Sequence, residues 1–288
     1  MTADRVHETE QNEHREGKNM KLTAMRFQRK LLMASWLIVV VLLLVCGGMA
    51  PAADQPAPEK PLPELLTVDL GGNVTMEFVL ARPGAFTMGD KDSAECAVTL
   101  TQPFYIGKYE VTQEQWEKVM GSNPSHFKGA KNPVETVSWD DCQKFLAKLK
   151  EKDHVHQFAL PTEAQWEYAC RAGTTTDPDN LYDYAWSGDT GGVSHPVGQK
   201  KPNAWGLYDI HGNVREWCQD WYAPYPEHAQ TDPTGPATGK TRVARGGSFA
   251  GYYEDVRSVC RRAWRPAESY DFIGLRCVVV VSKEPAAK

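Results

Sequence analysis

Apolar and polar residues alternate in short blocks along most of this chain, and three blocks have the period of an amphipathic helix. Each begins at a residue that can cap a helix: Thr112 before QEQWEKVM, Ser138 before WDDCQKFLAKLKEK and Thr162 before EAQWEYACR. Asp141 and Gln165, three residues beyond Ser138 and Thr162, complete the pattern of a capping box. The sequence therefore predicts three helices in its middle third.

Short apolar runs separated by Gly, Pro, Asp and Asn predict strands rather than long regular elements. These runs are residues 76–81, 86–89, 98–106, 242–249 and 275–281. Beyond Gly173 the pattern predicts loops and short strands and no further helix. We therefore expect an α+β fold, rich in loops, with short strands and about three helices.

The N-terminal segment has the pattern of a targeting sequence. Residues 31–46 read LLMASWLIVVVLLLVC, and no charged residue occurs between Lys30 and Asp54. Basic residues precede this run and small residues follow it, as in a secretory signal peptide or an N-terminal membrane anchor. For residues 1–53 we keep both alternatives open. Either one predicts export, and hence a periplasmic or extracellular location.

The remaining chain divides at a proline-rich stretch. Residues 51–64 contain five prolines, a composition typical of an extended spacer. We place the linker at residues 54–71, one folded domain at residues 72–281 and a short tail at residues 282–288.

Charge narrows the range of partners. The whole chain has a formal net charge of −5, but residues 31–288 carry 25 basic and 32 acidic groups, a net of −7. Nucleic-acid binding needs a concentrated basic face, so we expect no nucleic-acid partner. Contact with a membrane is expected only through an N-terminal anchor.

Cysteine usage fits an exported protein. One of the seven cysteines lies in the N-terminal segment and six follow it. An even number of cysteines in an exported domain favours disulfides, and six cysteines allow fifteen connectivities. No CxxC pair is present, which argues against a zinc site built from thiolates.

Seven sequence blocks, in order, resemble the formylglycine-generating, sulfatase-modifying factor family. They read RPGAFTMGD (82–90), YIGKYEVTQEQW (105–116), NPVETVSWDDCQKF (132–145), LPTEAQWEYACRAGT (160–174), NAWGLYDIHGNVREW (203–217), RVARGGSF (242–249) and IGLRC (273–277). This resemblance implies a C-type lectin-like fold. It also implies an oxidase that converts a cysteine of sulfatases to formylglycine.

The chain departs from the family at the positions that carry this chemistry. The resemblance implies two copper-binding cysteines after the RGGS segment, but Gly251 stands at the first position and Asp255 or Val256 at the second. Arg215 replaces a tryptophan that is frequent there. Thiolates select monovalent copper and glycine offers no ligand, so we expect no copper and a loss of the oxidase activity.

The resemblance also implies disulfide pairs. Cys170 resembles the partner of Cys260. Cys277 would pair with a cysteine on the helix after Ser138, where Cys142 lies one turn from the family's position. Cys96 and Cys218 then remain as the third pair.

The resemblance further implies calcium in the segment DIHGNVRE. Matching positions in the family supply side-chain oxygens from Asp209 and Glu216 and main-chain carbonyls from Gly212 and Val214. Calcium prefers such oxygen ligands, so we expect a structural calcium ion. The alternative is a turn tied by hydrogen bonds from the two carboxylates to backbone amides.

A ligand groove is expected around the RGGS segment, which lines the substrate groove in the family. Arginines beside aromatic side chains suit carboxylates, sulfates, peptides and glycans. The candidate residues are Arg215, Arg245, Ser248, Gly251, Tyr252, Tyr253, Arg261 and Trp264. The alternative is that the arginines pair with the acidic excess and the aromatic residues belong to the core.

Two hypotheses follow for function. One is an exported, calcium-stabilised binding or accessory module for a protein, peptide or glycan ligand. The other is a formylglycine-generating oxidase, or a related oxidative maturation enzyme for an exported substrate. The missing cysteine pair favours the first.

Overall fold

The computed structural model describes residues 61–92, 94–188 and 191–281. The N-terminal segment 1–53, the first part of the linker and the tail 282–288 lie outside the described residues, so the targeting alternatives stay a prediction. Within the described ranges, no helix combines the length and apolar character that a membrane crossing requires.

The three predicted helices are confirmed, as α1 (Gln113–Met120), α2 (Trp139–Lys152) and α3 (Glu163–Arg171). A capping box closes each N-terminus, with Thr112, Ser138 and Thr162 as the capping residues. At the start of each helix, the side chain of the capping residue accepts a hydrogen bond from the backbone N–H of the third helical residue. The side chain of that third residue in turn accepts from the backbone N–H of the capping residue. These reciprocal bonds explain why the helices begin where the sequence predicts.

Twelve strands accompany the helices in the described ranges. In chain order they are β1 (Leu65–Gly71), β2 (Val74–Ala81), β3 (Gly84–Asp90), β4 (Ala94–Leu100), β5 (Phe104–Gly107), β6 (Gln157–Ala159), β7 (Arg215–Trp221), β8 (Gln230–Thr231), β9 (Arg242–Arg245), β10 (Arg261–Trp264), β11 (Ile273–Gly274) and β12 (Val278–Val280). Short 3₁₀ helices beyond α3 include Leu181–Asp183 and Tyr253–Val256.

The strands form three sheets, and the largest has the order β1-β2-β5-β12-β6. The second has the order β10-β9-β7-β11 and the third β3-β4-β8. Because β12 pairs with both β5 and β6, the C-terminal strand of the domain lies within the same sheet as the N-terminal strands β1 and β2. The α+β, loop-rich prediction with three helices is confirmed.

Several strands differ from the sequence prediction: β7 and β10 lie where no strand is predicted, and two further segments differ for reasons that the structure shows. The segment Leu65–Gly71, placed in the linker, forms β1 and pairs antiparallel with β2. Its residues Val68 and Leu70 are buried in the core, which explains why this stretch folds rather than staying extended. Residues 98–106, predicted as one strand, divide into β4 and β5 at Pro103.

The hydrophobic core places the helices against the sheets. Trp116 of α1 stacks on Phe145 of α2, with ring centroids 4.8 Å apart. Trp166 of α3 and Trp217 of β7 are fully buried. Their indole nitrogens donate to the Glu216 carboxylate and to the Val137 carbonyl. This core fixes β7 and α3, the two elements that carry the charged interior of the domain.

Candidate functional site

The two positions where the resemblance implies copper-binding cysteines are neighbours at the start of the 3₁₀ helix Tyr253–Val256. A Cβ atom built on Gly251 would lie 3.2 Å from the Cβ atom of Asp255. Val256 points inward instead and packs with Leu181 and Ala185. Of the two candidates for the second position, Asp255 is therefore the residue that faces Gly251.

An ion-pair network occupies this corner. The Asp255 Oδ1 atom lies 3.0 Å from Arg215 Nη2 and 2.6 Å from Arg262 Nη2. Arg215 is buried, and its Nη1 donates to the Gly246 carbonyl at 2.6 Å. Burial opposes ionisation of Asp255, but Arg215 and Arg262 outweigh it, so the pKa of this carboxyl lies below its usual value. We call Gly251, Asp255, Arg215 and Arg262 the arginine–aspartate corner.

Three tyrosines lie on the surface beside this corner. Tyr252 is 81% exposed. Tyr253 packs against Tyr182 with ring centroids 4.8 Å apart, and Tyr182 is itself exposed. We call Tyr182, Tyr252 and Tyr253 the tyrosine patch. Exposed tyrosines of this kind provide apolar contact area and a hydroxyl for hydrogen bonding.

Several residues predicted to line the groove lie elsewhere. Arg245 is fully buried, where it pairs with Glu167 and donates to the Ser258 carbonyl at 2.9 Å. Ser248 is buried as well. Arg261 pairs with both oxygens of Glu163, at 2.7 and 2.5 Å. The groove prediction is therefore corrected for these residues, because acidic partners within the domain engage the arginines.

Trp264 is partly buried and packs against the core. It contacts Trp217 edge-on with ring centroids 6.3 Å apart, and packs against Tyr270 and Phe272 at 6.0 Å. Arg215 lies over its ring at 6.0 Å. Trp264 thus packs against Arg215 on the core side of the arginine–aspartate corner. The exposed part of the predicted groove is the tyrosine patch.

The predicted calcium loop contains one carboxylate oxygen that fits a cation. Asp209 is buried in a left-handed backbone conformation, and its Oδ2 accepts from the Gly198 N–H at 2.6 Å. Its Oδ1 is buried and has no hydrogen-bond partner in the described part of the chain. A buried, unpaired carboxylate oxygen is costly unless a cation or proton satisfies it.

Glu216 fits calcium poorly in the same structure. Both of its oxygens accept from Arg276, at 2.8 to 3.0 Å, and Oε2 also accepts from Trp166 Nε1 at 2.7 Å. Four donor contacts use the lone-pair positions of one carboxylate. Across the described ranges, no three acidic, histidine or cysteine side chains converge on one metal position. The predicted set Asp209, Gly212, Val214 and Glu216 is therefore not assembled as a complete calcium site.

A third carboxylate at this loop escaped sequence analysis. Glu110 is fully buried and accepts from the Val214 N–H at 2.9 Å and from Asn213 Nδ2 at 2.7 Å. Burial, together with the nearby Asp209 and Glu216, raises the pKa of Glu110 well above its usual value. Its place in YIGKYEVTQ gave no signal, because its partners lie about one hundred residues further along the chain.

The six cysteines of the domain are free thiols in the structure, so the three predicted disulfides are not formed. Cys170 Sγ lies 3.8 Å from both ring nitrogens of His211. Cys260 Sγ lies 3.5 Å from Asp255 Oδ1, so these two cysteines face different partners. Cys142 and Cys277 are both fully buried and close enough to interact electrostatically. Burial raises the pKa of the Cys170 and Cys142 thiols, which keeps both uncharged.

Known proteins share both this fold and the sequence blocks. Residues 70–281 match the family model of the sulfatase-modifying factor enzyme 1-like domain. The chaperone protein LppX of Paenibacillus barcinonensis is 31% identical over 75% of this chain and 89% of its own length. The formylglycine-generating enzyme of Streptomyces coelicolor is 31% identical over 72% of this chain and 68% of its own length.

Solved structures give the same picture. Treponema denticola variable protein 1 superposes with a TM-score of 0.72 at 32% identity, covering 76% of this chain and all of that one. PvdO from Pseudomonas aeruginosa superposes with a TM-score of 0.65 at 24% identity, over 77% of this chain and all of that one, which supports the fold alone. The fold is thus the C-type lectin-like fold of formylglycine-generating enzymes. The chain belongs to the sulfatase-modifying factor enzyme 1-like family.

Proposed function

We propose that this protein is an exported binding or accessory module without formylglycine oxidase activity. The observation that carries this proposal is the arginine–aspartate corner. Where the family resemblance implies two thiolates, Gly251 provides no side chain and Asp255 is engaged by Arg215 and Arg262. A carboxylate held in two ion pairs is neither a soft ligand for monovalent copper nor a redox-active group.

The tyrosine patch is the surface that we assign to ligand binding. It lies directly beside the arginine–aspartate corner, and Tyr252 is largely exposed while its neighbours are packed. Exposed tyrosines on a fixed scaffold contact peptides and glycans with little loss of side-chain entropy. The name of the Paenibacillus barcinonensis relative, a chaperone protein, supports a client that is itself a protein. An exported protein or peptide is therefore the ligand class we propose first, with a glycan as the alternative.

Site-specific photo-crosslinking tests this assignment. A photoreactive phenylalanine analogue would replace Tyr252 in one variant and Val155 in a control. The two positions are 81% and 84% exposed, so they differ in location rather than accessibility. We expect position 252 to capture one discrete exported protein in the native host, and position 155 to capture none. Identical capture patterns from the two positions would contradict a binding surface at the tyrosine patch.

We also propose a structural calcium ion at Asp209, bound by the predicted ligands other than Glu216. The buried Oδ1 of Asp209 supports it, and the carbonyls of Gly212 and Val214 would complete its surroundings. Glu216 would stay with Arg276, because its lone pairs are already used. Calcium would then stabilise the loop between α3 and β7 and take no part in chemistry.

The alternative function remains a formylglycine-generating oxidase or a related oxidative maturation enzyme. The formylglycine-generating enzyme of Streptomyces coelicolor supports this alternative at the level of the family. It requires a redox centre at residues other than Gly251 and Asp255. An assay of copper-dependent peptide oxidation separates the two functions.

A further inference from the structure

One cavity of the domain, of about 490 Å³, includes Arg261 in its lining but none of the residues of the arginine–aspartate corner or the tyrosine patch. It lies between β4, the first turn of α3 and the loops that follow β7. Its walls include four prolines, Pro224, Pro226, Pro233 and Pro236. Proline fixes the backbone φ angle, so these walls are formed before any ligand arrives. The volume lies within the range of about 300–1,000 Å³ that is typical of small-ligand sites. We call it the proline-walled cavity.

Three carboxylates line this cavity. Asp232 is exposed and accepts from the backbone N–H and the hydroxyl of Thr101, whereas Glu163 and Asp220 differ in how their charges are balanced. Glu163 accepts from Arg261 Nε and Nη2, and its Oε1 lies 3.5 Å from Arg245 Nη1. Asp220 is only 4% exposed, and its Oδ2 accepts from the Glu163 backbone N–H at 2.8 Å. No ion pair joins Asp220 to a basic side chain in the part of the chain that the structure describes. Asp220 therefore lines the cavity without an ion-pair partner of its own, although Arg261 and Arg242 lie near enough to favour its charged form.

The remaining polar groups decide what this space can bind. Each nitrogen of the Arg261 guanidinium already donates once, Nε and Nη2 to Glu163 and Nη1 to the Ala223 carbonyl at 2.9 Å. Arg261 therefore has little capacity left for an anionic ligand. Burial, reinforced by the neighbouring Glu163, raises the pKa of Asp220 to about 7. A ligand with a positive charge would supply the missing counter-ion, whereas a neutral ligand would leave the carboxylate unbalanced.

We propose that the proline-walled cavity binds an organic cation, a primary ammonium or guanidinium on a compact apolar or aromatic body, with the Asp220 carboxylate as its counter-ion. Met88, Val98 and the prolines provide apolar contact for the body of the ligand. The cation belongs either to a free amine or to a basic side chain of a peptide. The cavity shares no lining residue with the tyrosine patch, so this inference stands independently of the proposed function.

Calorimetric titration of the full chain at pH 8 tests the charge requirement. The probes are tryptamine and its neutral counterpart tryptophol, and a blocked lysine tripeptide with its norleucine counterpart. We expect at least one cationic probe to bind with one-to-one stoichiometry, about ten- to a hundredfold more tightly than its neutral counterpart, as for a hydrogen bond to a charged group. Binding of tryptamine alone identifies a free amine as the source, and binding of the lysine peptide identifies a side chain. Equal affinity of charged and neutral probes, or no saturable binding of either cation, would overturn the proposal.

A substitution then locates the binding. Asp220→Asn keeps an oxygen that accepts from the Glu163 N–H but removes the charge. Glu227→Gln is the matched control, because Glu227 is an exposed acid in the loop that follows β7 and does not line the cavity. We expect Asp220→Asn to lose the preference for the cation and Glu227→Gln to retain it. An unchanged preference in Asp220→Asn would overturn the assignment, and the comparison of probes on the unaltered protein decides the matter if that variant does not fold.

Discussion

Replacing Asp220 by asparagine should change how the stability of this protein depends on pH. In the folded protein Asp220 is buried beside Glu163, and its pKa rises from the usual 3.8 to about 7. The folded state therefore binds this proton more tightly than the unfolded state does. Stability is then fully present below about pH 4 and decreases as the pH rises toward 7. Asparagine cannot ionise, so the variant lacks this part of the pH dependence.

The structure sets an upper limit on the effect. A pKa that moves from 3.8 to about 7 corresponds to at most about 4 kcal/mol, since a tenfold change in proton affinity is about 1.4 kcal/mol. Arg261 and Arg242 face the carboxyl and oppose part of the shift. The oxygen of asparagine preserves the hydrogen bond from the Glu163 N–H. At pH 8 we expect Asp220→Asn to be more stable than the unaltered protein, by about 2–4 kcal/mol.

Urea unfolding between pH 4.5 and 8.5, followed by tryptophan fluorescence, measures this difference. The free energies of unfolding of the two proteins should converge at the acidic end and separate as the pH rises. Glu227→Gln, which changes an exposed acid in the loop after β7, should follow the unaltered protein throughout. Parallel curves for Asp220→Asn and the unaltered protein would refute the reasoning, because Asp220 would then titrate alike in both states.

Three further substitutions test the interior of the domain. Calcium should raise the melting temperature of the unaltered protein but not of Asp209→Ala, which removes the side-chain oxygens; equal melting with calcium and with a chelator would contradict the site. Glu216→Gln should lower the free energy of unfolding by about 3–5 kcal/mol, because it leaves Arg276 buried without its ion-pair partner. The control is Glu77→Gln: Glu77 pairs with Lys108 at a partly exposed position, so this change should cost less than about 1 kcal/mol. Ser138→Ala should lower the free energy of unfolding, measured by urea unfolding, by about 1 kcal/mol, and Ser138→Thr by much less. Equal losses in the two variants would exclude the helix cap as the cause.

The helices could be predicted because their signals are local. Thr112, Ser138 and Thr162 bond to backbone groups three residues away, so the capping pattern is visible in a few consecutive letters. The position of β12 between β5 and β6 depends on pairing across more than one hundred residues. No periodicity within the individual segments reports that arrangement.

The candidate site was predictable in part for the same reason. The resemblance located Gly251 and Asp255, and the structure places them side by side. It did not reveal that Arg245 is interior, because its partner Glu167 lies 78 residues away in the chain. Asp220 gave no sequence signal, since its environment is built from a strand end, a helix start and two loops. Charge and aromatic composition indicate recognition, but burial decides which side chains can take part in it.

Mass spectrometry of a sulfatase-type Cys-x-Pro-x-Arg peptide, incubated with the purified protein, copper and oxygen, tests the central claim most directly. The Streptomyces coelicolor relative serves as the positive control. Because Gly251 and Asp255 stand where the resemblance implies two thiolates, we expect the peptide cysteine to remain unchanged while the control converts it. Conversion of the cysteine to the aldehyde by this protein would contradict the account.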